Sequence, residues 1–200
     1  MTRLMYDSTD ASAIPADARM VAGYVDGLYR WSIADWARFP NAVKAHIAVN
    51  PATNDGDVLD IEPGNWDAVA SVDWVIQRRA DGLEQPTVYC GSWAPGYNWQ
   101  DVLDAHAARG VPAPLIWYAN YATGPTIPDG CIGHQYADVG PYDLSVVADF
   151  WPGLDVAPPA PQPPTTGPDV TSALGRLMVA RRNIRDSSDQ IENAIEDLTT

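Results

Sequence analysis

The chain has 200 residues, of which 46% are hydrophobic, enough for one sizeable domain with a packed core. It carries 26 acidic and 12 basic residues, a formal net charge of −14 at pH 7, so we expect no nucleic-acid partner and no attraction to anionic membranes. The N-terminus lacks the apolar segment of a signal peptide and no stretch approaches about 18 apolar residues, so we expect neither a signal peptide nor a membrane anchor.

Short apolar segments recur along the first 150 residues and predict eight strands. Helices are predicted at 31–38, with Ser32 as the N-cap, at 65–81, and at 98–109, with Asn98 as the N-cap. The predicted strands are 3–6, 20–25, 43–49, 58–61, 87–90, 115–118, 131–135 and 142–146.

This alternation of strands with helices or loops is typical of an α/β fold with a parallel sheet, and eight strands favour its closed form. We therefore predict a compact (β/α)8 TIM-like barrel over residues 1–155. Because such barrels usually need at least about 200 residues, we expect an incomplete helical ring. A flavodoxin-like open sheet is the alternative, although no glycine-rich phosphate loop accompanies it.

The cysteines and histidines show no metal-ligand spacing. Cys90 and Cys131 each lie beside a predicted strand, and we expect buried thiols, with a disulfide as the less favoured alternative. We expect no metal and no cofactor.

The stretch 58–62 is an apolar run that ends in two carboxylates and is followed by Pro-Gly. On a strand Asp60 and Glu62 project to the same side, with Cα atoms about 6.6 Å apart. Two carboxylates in a poorly hydrated cleft become one acid and one anion, the pair that glycoside hydrolysis requires. The alternative interpretation is that these acids cap the next helix or face water.

Acids and aromatic residues also follow the other predicted strands. Because parallel α/β folds place their sites at the carboxyl ends of strands, we expect these side chains to converge on one mouth. Aromatic rings stack on the apolar faces of sugars while acids and amides bind their hydroxyls, although a strand aromatic can equally belong to the core. The candidates are Asp7, Asp26, Asp60, Glu62, Tyr89, Trp117, Tyr118, Gln135 and, near the eighth strand, Asp143.

Several segments occur in the order seen in glycoside hydrolase family 25, the lysozyme-like N-acetylmuramidases. The chain resembles a divergent actinobacterial and actinophage branch of that family, and the similarity covers about residues 3–153. The segments are Asp7, Leu59-Asp60-Ile61-Glu62, Pro86-Thr87-Val88-Tyr89, Ile116-Trp117-Tyr118-Ala119, His134-Gln135-Tyr136 and Tyr142-Asp143-Leu144-Ser145, with Ala22-Gly23-Tyr24-Val25 and Ala34-Asp35-Trp36 as counterparts in the branch.

The resemblance implies cleavage of the β-1,4 bond between N-acetylmuramic acid and N-acetylglucosamine in peptidoglycan. It implies that Glu62 is the general acid and that Asp60 steadies the charged centre or orients the substrate's acetamido group. Asp7 and Asp143 would be supporting acids. The sugar-binding wall would include Tyr89, Trp117 and Gln135.

A different kind of sequence follows the predicted barrel. Residues 156–168 are a Pro-rich linker, which we expect to be extended. In residues 169–200, Asp169 is a suitable N-cap, and residues recur at alternating steps of four and three from Val170 to Leu198, a pattern typical of a coiled-coil helix. Arg181 and Ser188 interrupt this apolar seam. We expect self-association or a docking partner through 169–198; the alternative is an amphipathic helix folded against its own barrel.

Together these patterns predict a peptidoglycan hydrolase associated with a phage virion, acting at the host cell wall on peptidoglycan or another cell-surface glycan. Bacterial cytoplasm or non-classical export is the alternative location. The competing function is a catalytically degenerate barrel that binds glycan or serves as a structural virion component.

Overall fold

The structure is a computed structural model, and it describes residues 2–53, 55–91 and 94–155. The predicted linker at 156–168 and the predicted coiled-coil helix at 169–200 lie outside the described residues.

Eight strands form one closed barrel in chain order, and β1 pairs with β8 to close it. The predicted number of strands is confirmed, and the alternative of an open sheet is wrong. The strands are β1 (Thr2–Asp7), β2 (Met20–Tyr24), β3 (Val43–Ala48), β4 (Val58–Ile61), β5 (Thr87–Gly91), β6 (Leu115–Ala119), β7 (Gly133–Asp138) and β8 (Asp143–Ala148).

The direction of β8 corrects the prediction of an all-parallel sheet. Neighbouring strands from β1 to β7 run parallel, whereas β8 is antiparallel to both β7 and β1. Four residues, 139–142, separate β7 from β8, too few for the crossover that a parallel connection requires. As a result the first residue of β8, Asp143, pairs with the last residue of β1, Asp7.

The barrel is mostly sheet, and three α-helices occur within the described ranges: α1 (Ile33–Ala37), α2 (Ala68–Ala80) and α3 (Trp99–Ala108). Ser32 and Asn98 are the N-caps of α1 and α3, as predicted, and each forms a capping box. α2 begins three residues later than predicted, because the Asp67 carboxylate accepts the N–H groups of Val69 and Ala70. None of these helices combines the length and apolar character needed to cross a membrane.

Alternate residues of β4 face opposite sides of the barrel wall. Val58 packs in the interior cluster, and Asp60 lines a cleft at the carboxyl end of the same interior. Leu59 and Ile61 pack outside, in the cluster that includes Trp74 of α2. The predicted shared face of Asp60 and Glu62 follows from this alternation.

Two buried indoles fill the interior beneath that cleft. Trp151 donates its Nε1–H to Thr87 Oγ1 (3.0 Å), at the first residue of β5, so it packs at the amino end of the strands. Trp117 donates to Ser145 Oγ (3.0 Å) and lies closer to the carboxyl end, where it lines the cleft. Both indole N–H groups are therefore satisfied inside a packed core.

Both cysteines are free thiols. Cys90 is buried on β5, as predicted, and Cys131 is half-buried in the turn that precedes β7, where its N–H donates to the Pro128 carbonyl (3.0 Å). Burial raises the pKa of Cys131 from 9.0 to about 12, and it raises the pKa of Cys90 as well. Neither thiol carries thiolate character at neutral pH.

Gly23 on β2 offers a test of how tightly the barrel wall is packed. A Cβ at this position would lie 2.6 Å from Cε2 of Trp31, a buried ring that stacks on Phe39. We expect Gly23→Ala to lower the free energy of unfolding by about 1–3 kcal/mol, because a buried indole must shift. Urea unfolding measures this change. Gly124→Ala, where a Cβ would meet nothing within 4 Å, is the control; equal stability of the two variants would contradict the packing argument.

Candidate active site

A cleft of about 200 Å³ opens at the carboxyl end of the parallel strands. Each of the eight strands contributes to it, from within the strand or from the residues next to it. The volume lies below the roughly 300–1,000 Å³ of clefts for larger ligands, so it suits a group the size of one sugar ring. The cleft is lined by Asp7, Tyr24, Ile47, Asp60, Glu62, Tyr89, Trp117, Tyr121, Gln135 and Asp143.

Seven of the nine candidate residues from the sequence line this cleft. Asp143 joins them only because β8 is antiparallel, which brings the start of that strand to the edge where the parallel strands end. The chain turns sharply after Glu62, where Asn65 N–H donates to the Glu62 carbonyl (2.9 Å) and Gly64 adopts a φ of 100° that favours glycine. This turn keeps Glu62 at the mouth.

The other two candidates, Asp26 and Tyr118, do not line the cleft. The Asp26 carboxylate accepts the N–H of Val49 (2.7 Å) and the hydroxyl of Thr53 (2.6 Å), so it secures the loop after β3. Tyr118 follows Trp117 on β6 and faces the outer side, where its ring lies 5.5 Å from that of Trp99. The strand alternation that turns Trp117 inward turns Tyr118 outward.

Three cleft residues are missing from the sequence-based candidates. Tyr24 ends β2 and Ile47 lies one residue before the end of β3, so the strand-end argument could have found both. Tyr121 lies in the loop two residues after β6, and strand periodicity gives no signal there. Its hydroxyl nevertheless donates to Gln135 Oε1 (2.8 Å) inside the site.

Asp60 and Glu62 form an electrostatically coupled pair of carboxyl groups. Asp60 is 4% exposed, and its Oδ1 has no hydrogen-bond partner. Burial raises the pKa of Asp60 well above its usual range, and the charge of Glu62 raises it further. Burial also raises the pKa of Glu62, whereas a hydrogen bond with Tyr89 lowers it. The pair therefore holds a proton more readily than two exposed acids would.

Asp7 and Asp143 form a second pair of acids on the opposite wall. Burial raises the pKa of Asp7 from 3.8 to about 8, with a further increase from the charge of Asp143. Burial raises the pKa of Asp143 from 3.8 to about 6. No Lys, Arg or His is among the described residues of the cleft lining, so no basic side chain there offsets these effects.

Gln135 connects the two halves of the cleft. Its Oε1 accepts the hydroxyls of Tyr89 (2.6 Å) and Tyr121 (2.8 Å), and its Nε2 donates to Asp7 Oδ2 (2.9 Å) and Asp143 Oδ2 (3.2 Å). All four hydrogen-bonding positions of the amide are thus occupied. Gln135 therefore positions the acids and tyrosines of the cleft, and its predicted place in a sugar-binding wall stays a prediction.

Replacing Gln135 with methionine should lower the free energy of unfolding by about 2–4 kcal/mol. The change keeps the side-chain volume but leaves the tyrosine hydroxyls and the carboxyl groups around it without their partner. Urea unfolding at neutral pH measures the loss. Gln100→Met, at an exposed position on α3, is the matched control, and a comparable small effect in both variants would show that the network contributes little.

Within residues 2–53, 55–91 and 94–155, no group of three or more His, Cys, Asp or Glu side chains is arranged so that it could hold a metal ion. Two of the cleft acids, Asp7 and Asp143, are instead bridged by the Gln135 amide, whose Nε2 donates to both.

Comparisons with known proteins assign no family to the chain. No family model matches the chain, and no curated protein matches it. The chemistry of the side chains in the cleft is therefore the basis for a proposed function.

Proposed function

We propose that the barrel is a glycoside hydrolase that cleaves a glycosidic bond of peptidoglycan. The observation that carries the proposal is the coupled Asp60–Glu62 pair, two carboxyl groups with raised pKa values at the carboxyl end of one strand, facing a cleft of one-sugar size. Two carboxyl groups with different environments supply the acid and the anion that this reaction needs.

We propose further that the barrel is a reduced form of the (β/α)8 fold, in which only some strands are followed by helices and β8 is reversed. The resemblance of the chain to glycoside hydrolase family 25 supports the same reaction and specifies the β-1,4 bond between N-acetylmuramic acid and N-acetylglucosamine. The residues that carry this resemblance include the cleft acids Asp7, Asp60, Glu62 and Asp143.

Glu62 is the proposed general acid because it is only half-buried at the mouth, where a leaving group can reach it. Its carboxyl proton passes to the glycosidic oxygen as the bond from that oxygen to the anomeric carbon breaks. The pair carries one proton in the reactive form, and that proton lies on Glu62. The ionised Asp60, buried beside it, stabilises the positive charge that develops on the sugar ring, and this charge in turn favours the ionised form of Asp60. Water then adds to the anomeric carbon and returns a proton to Glu62.

Tyr89 and Trp117 supply aromatic surface beside these acids. Their ring centroids lie 4.8 Å apart at an interplanar angle of 65°, and both residues are buried, so the wall that they form is rigid. A sugar ring that packs against this wall presents its hydroxyls to the carboxyl groups.

The proposed setting is a phage particle that meets the host cell wall, with residues 169–198 as an oligomerising or docking segment. Its basis is the coiled-coil pattern in the sequence, since these residues lie outside the described part of the chain. Bacterial cytoplasm or non-classical export remains the alternative location.

The test is incubation of the full chain with purified actinobacterial peptidoglycan, followed by measurement of new reducing ends and by mass spectrometry of the products. New reducing ends at N-acetylmuramic acid would support the proposal. Binding to the walls without any release, on substrates that a known muramidase cleaves, would replace it with the alternative of a glycan-binding or structural barrel.

A further inference from the structure

A second concave surface lies on the outer side of the barrel, separate from the acid cleft. We call it the Trp66 groove. It encloses about 550 Å³, more than twice the volume of the cleft. Its lining includes Pro51, Ala52, Trp66, Asp73, Trp74 and Gln77.

The side chains of the Trp66 groove combine an aromatic surface with hydrogen-bonding groups. Trp66 is 48% exposed, and the buried Trp74 forms part of the floor. Asp73 and Gln77 lie four residues apart on α2 and therefore on the same helix face. Asp73 pairs with Arg109 (2.7 Å), and its carboxylate has further acceptor positions for a ligand hydroxyl.

The wall opposite α2 is held firmly in place. Trp74 Nε1–H donates to the Thr53 carbonyl (3.2 Å), and Arg78 Nε–H donates to the Gly56 carbonyl (2.9 Å), so the middle and the second half of the loop after β3 are bonded to the helix. The Asp26 carboxylate bonds the same loop from the barrel side, through Thr53 Oγ1 (2.6 Å). The groove is therefore preformed, which lowers the entropic cost of binding.

The Trp66 groove lies on the same rim as the acid cleft. Trp66 follows Glu62 by four residues, and Pro51 follows the cleft residue Ile47 by four. Because four residues span at most about 14 Å, the groove begins within that distance of the proposed general acid. A glycan strand of several sugar units is long enough to span that distance.

We propose that the Trp66 groove is a second carbohydrate site, which holds a sugar unit of the same glycan strand several units away from the bond in the cleft. This inference rests on the proposed function, because it takes a glycan as the ligand. A half-exposed indole beside a carboxylate and an amide is suited to the apolar face and the hydroxyls of a sugar. A chain with a net charge of −14 gains no electrostatic attraction to an anionic wall, so short-range contacts of this kind must retain it there.

The test is calorimetric binding of peptidoglycan glycan strands, freed of stem peptides, to the full chain carrying Glu62→Gln so that the strands stay intact. Adding Trp66→Ala should weaken the affinity for long strands about three- to tenfold, while Trp66→Phe should restore most of it. Val69→Ala is the matched control, because Val69 is 62% exposed on the same helix and does not line the groove. A muropeptide disaccharide, too short to reach the groove from the cleft, should show no comparable loss.

Equal affinity of the Trp66→Ala and Val69→Ala variants for long strands would overturn the second site, as would a failure of the Glu62→Gln background to bind long strands. Reducing-end release by the chain with Glu62 intact decides the proposed hydrolysis separately. A Trp66-dependent affinity without any hydrolysis would keep the second site and reject only the enzymatic function.

Discussion

Replacing Glu62 with glutamine should lower the release of reducing ends from peptidoglycan by about 10²–10⁴-fold. Glutamine has the same shape and can still hydrogen-bond with Tyr89, but it has no acidic proton to give to the glycosidic oxygen. The loss should appear in kcat, with binding to the wall retained, because the change removes an interaction made only in the transition state. Initial rates and pull-down on the same wall preparation measure the two quantities.

Glu84→Gln is the matched control for this experiment, since Glu84 is exposed between α2 and β5, and it should keep full activity. Asp60→Asn should also lose activity, because the buried neighbour of Glu62 could no longer stabilise a developing positive charge. Retention of more than about a tenth of the rate in Glu62→Gln would remove Glu62 from the role of general acid.

The part of the site on β4 could be predicted from the sequence because it depends on local rules. Apolar residues interleaved with Asp60, followed by Pro63 and Gly64, specify a buried strand and its end. The alternation of side chains then places Asp60 and Glu62 on one face without any knowledge of the rest of the chain. The number of strands and the helix caps at Ser32 and Asn98 followed from equally local signals.

The features that could not be predicted from the sequence depend on long-range strand pairing and on loops. The antiparallel direction of β8 depends on its pairing with β1, in which the residues nearest in sequence, Asp7 and Asp143, are 136 positions apart. The short loop after β7 was nevertheless a local indication of that direction. Asp26 follows β2 by two residues, yet backbone N–H groups of the loop after β3 donate to its carboxylate and keep it away from the cleft. Tyr121 enters the site from an irregular loop, where no periodicity applies.

Replacing Asp7 with asparagine should stabilise the fold, and the gain should increase with pH. The pKa of Asp7 is about 8 in the folded state against 3.8 ordinarily, so the folded state keeps a proton that the unfolded state releases. In the wild type the stabilisation that comes from this bound proton is fully present below about pH 4 and is lost as the pH rises to about 8. Asparagine cannot ionise, so the variant escapes that loss. We expect a relative gain of about 2–5 kcal/mol between the two ends of this range.

Urea unfolding at about pH 5 and about pH 9 separates this effect from a general change in packing. Asparagine can still accept the hydrogen bond from Gln135 Nε2 through its amide oxygen, so the network is kept, whereas the exposed Asp129→Asn should gain nothing at either pH. A positive charge that develops on a bound substrate favours the ionised form of Asp7, which asparagine cannot adopt, so the same Asp7→Asn variant should lose hydrolytic activity. A gain in stability that comes with a loss in activity is expected where acids are buried together for function. A gain that does not change with pH, or a loss that grows with it, would show that Asp7 is ionised in the folded protein and that another group compensates its charge.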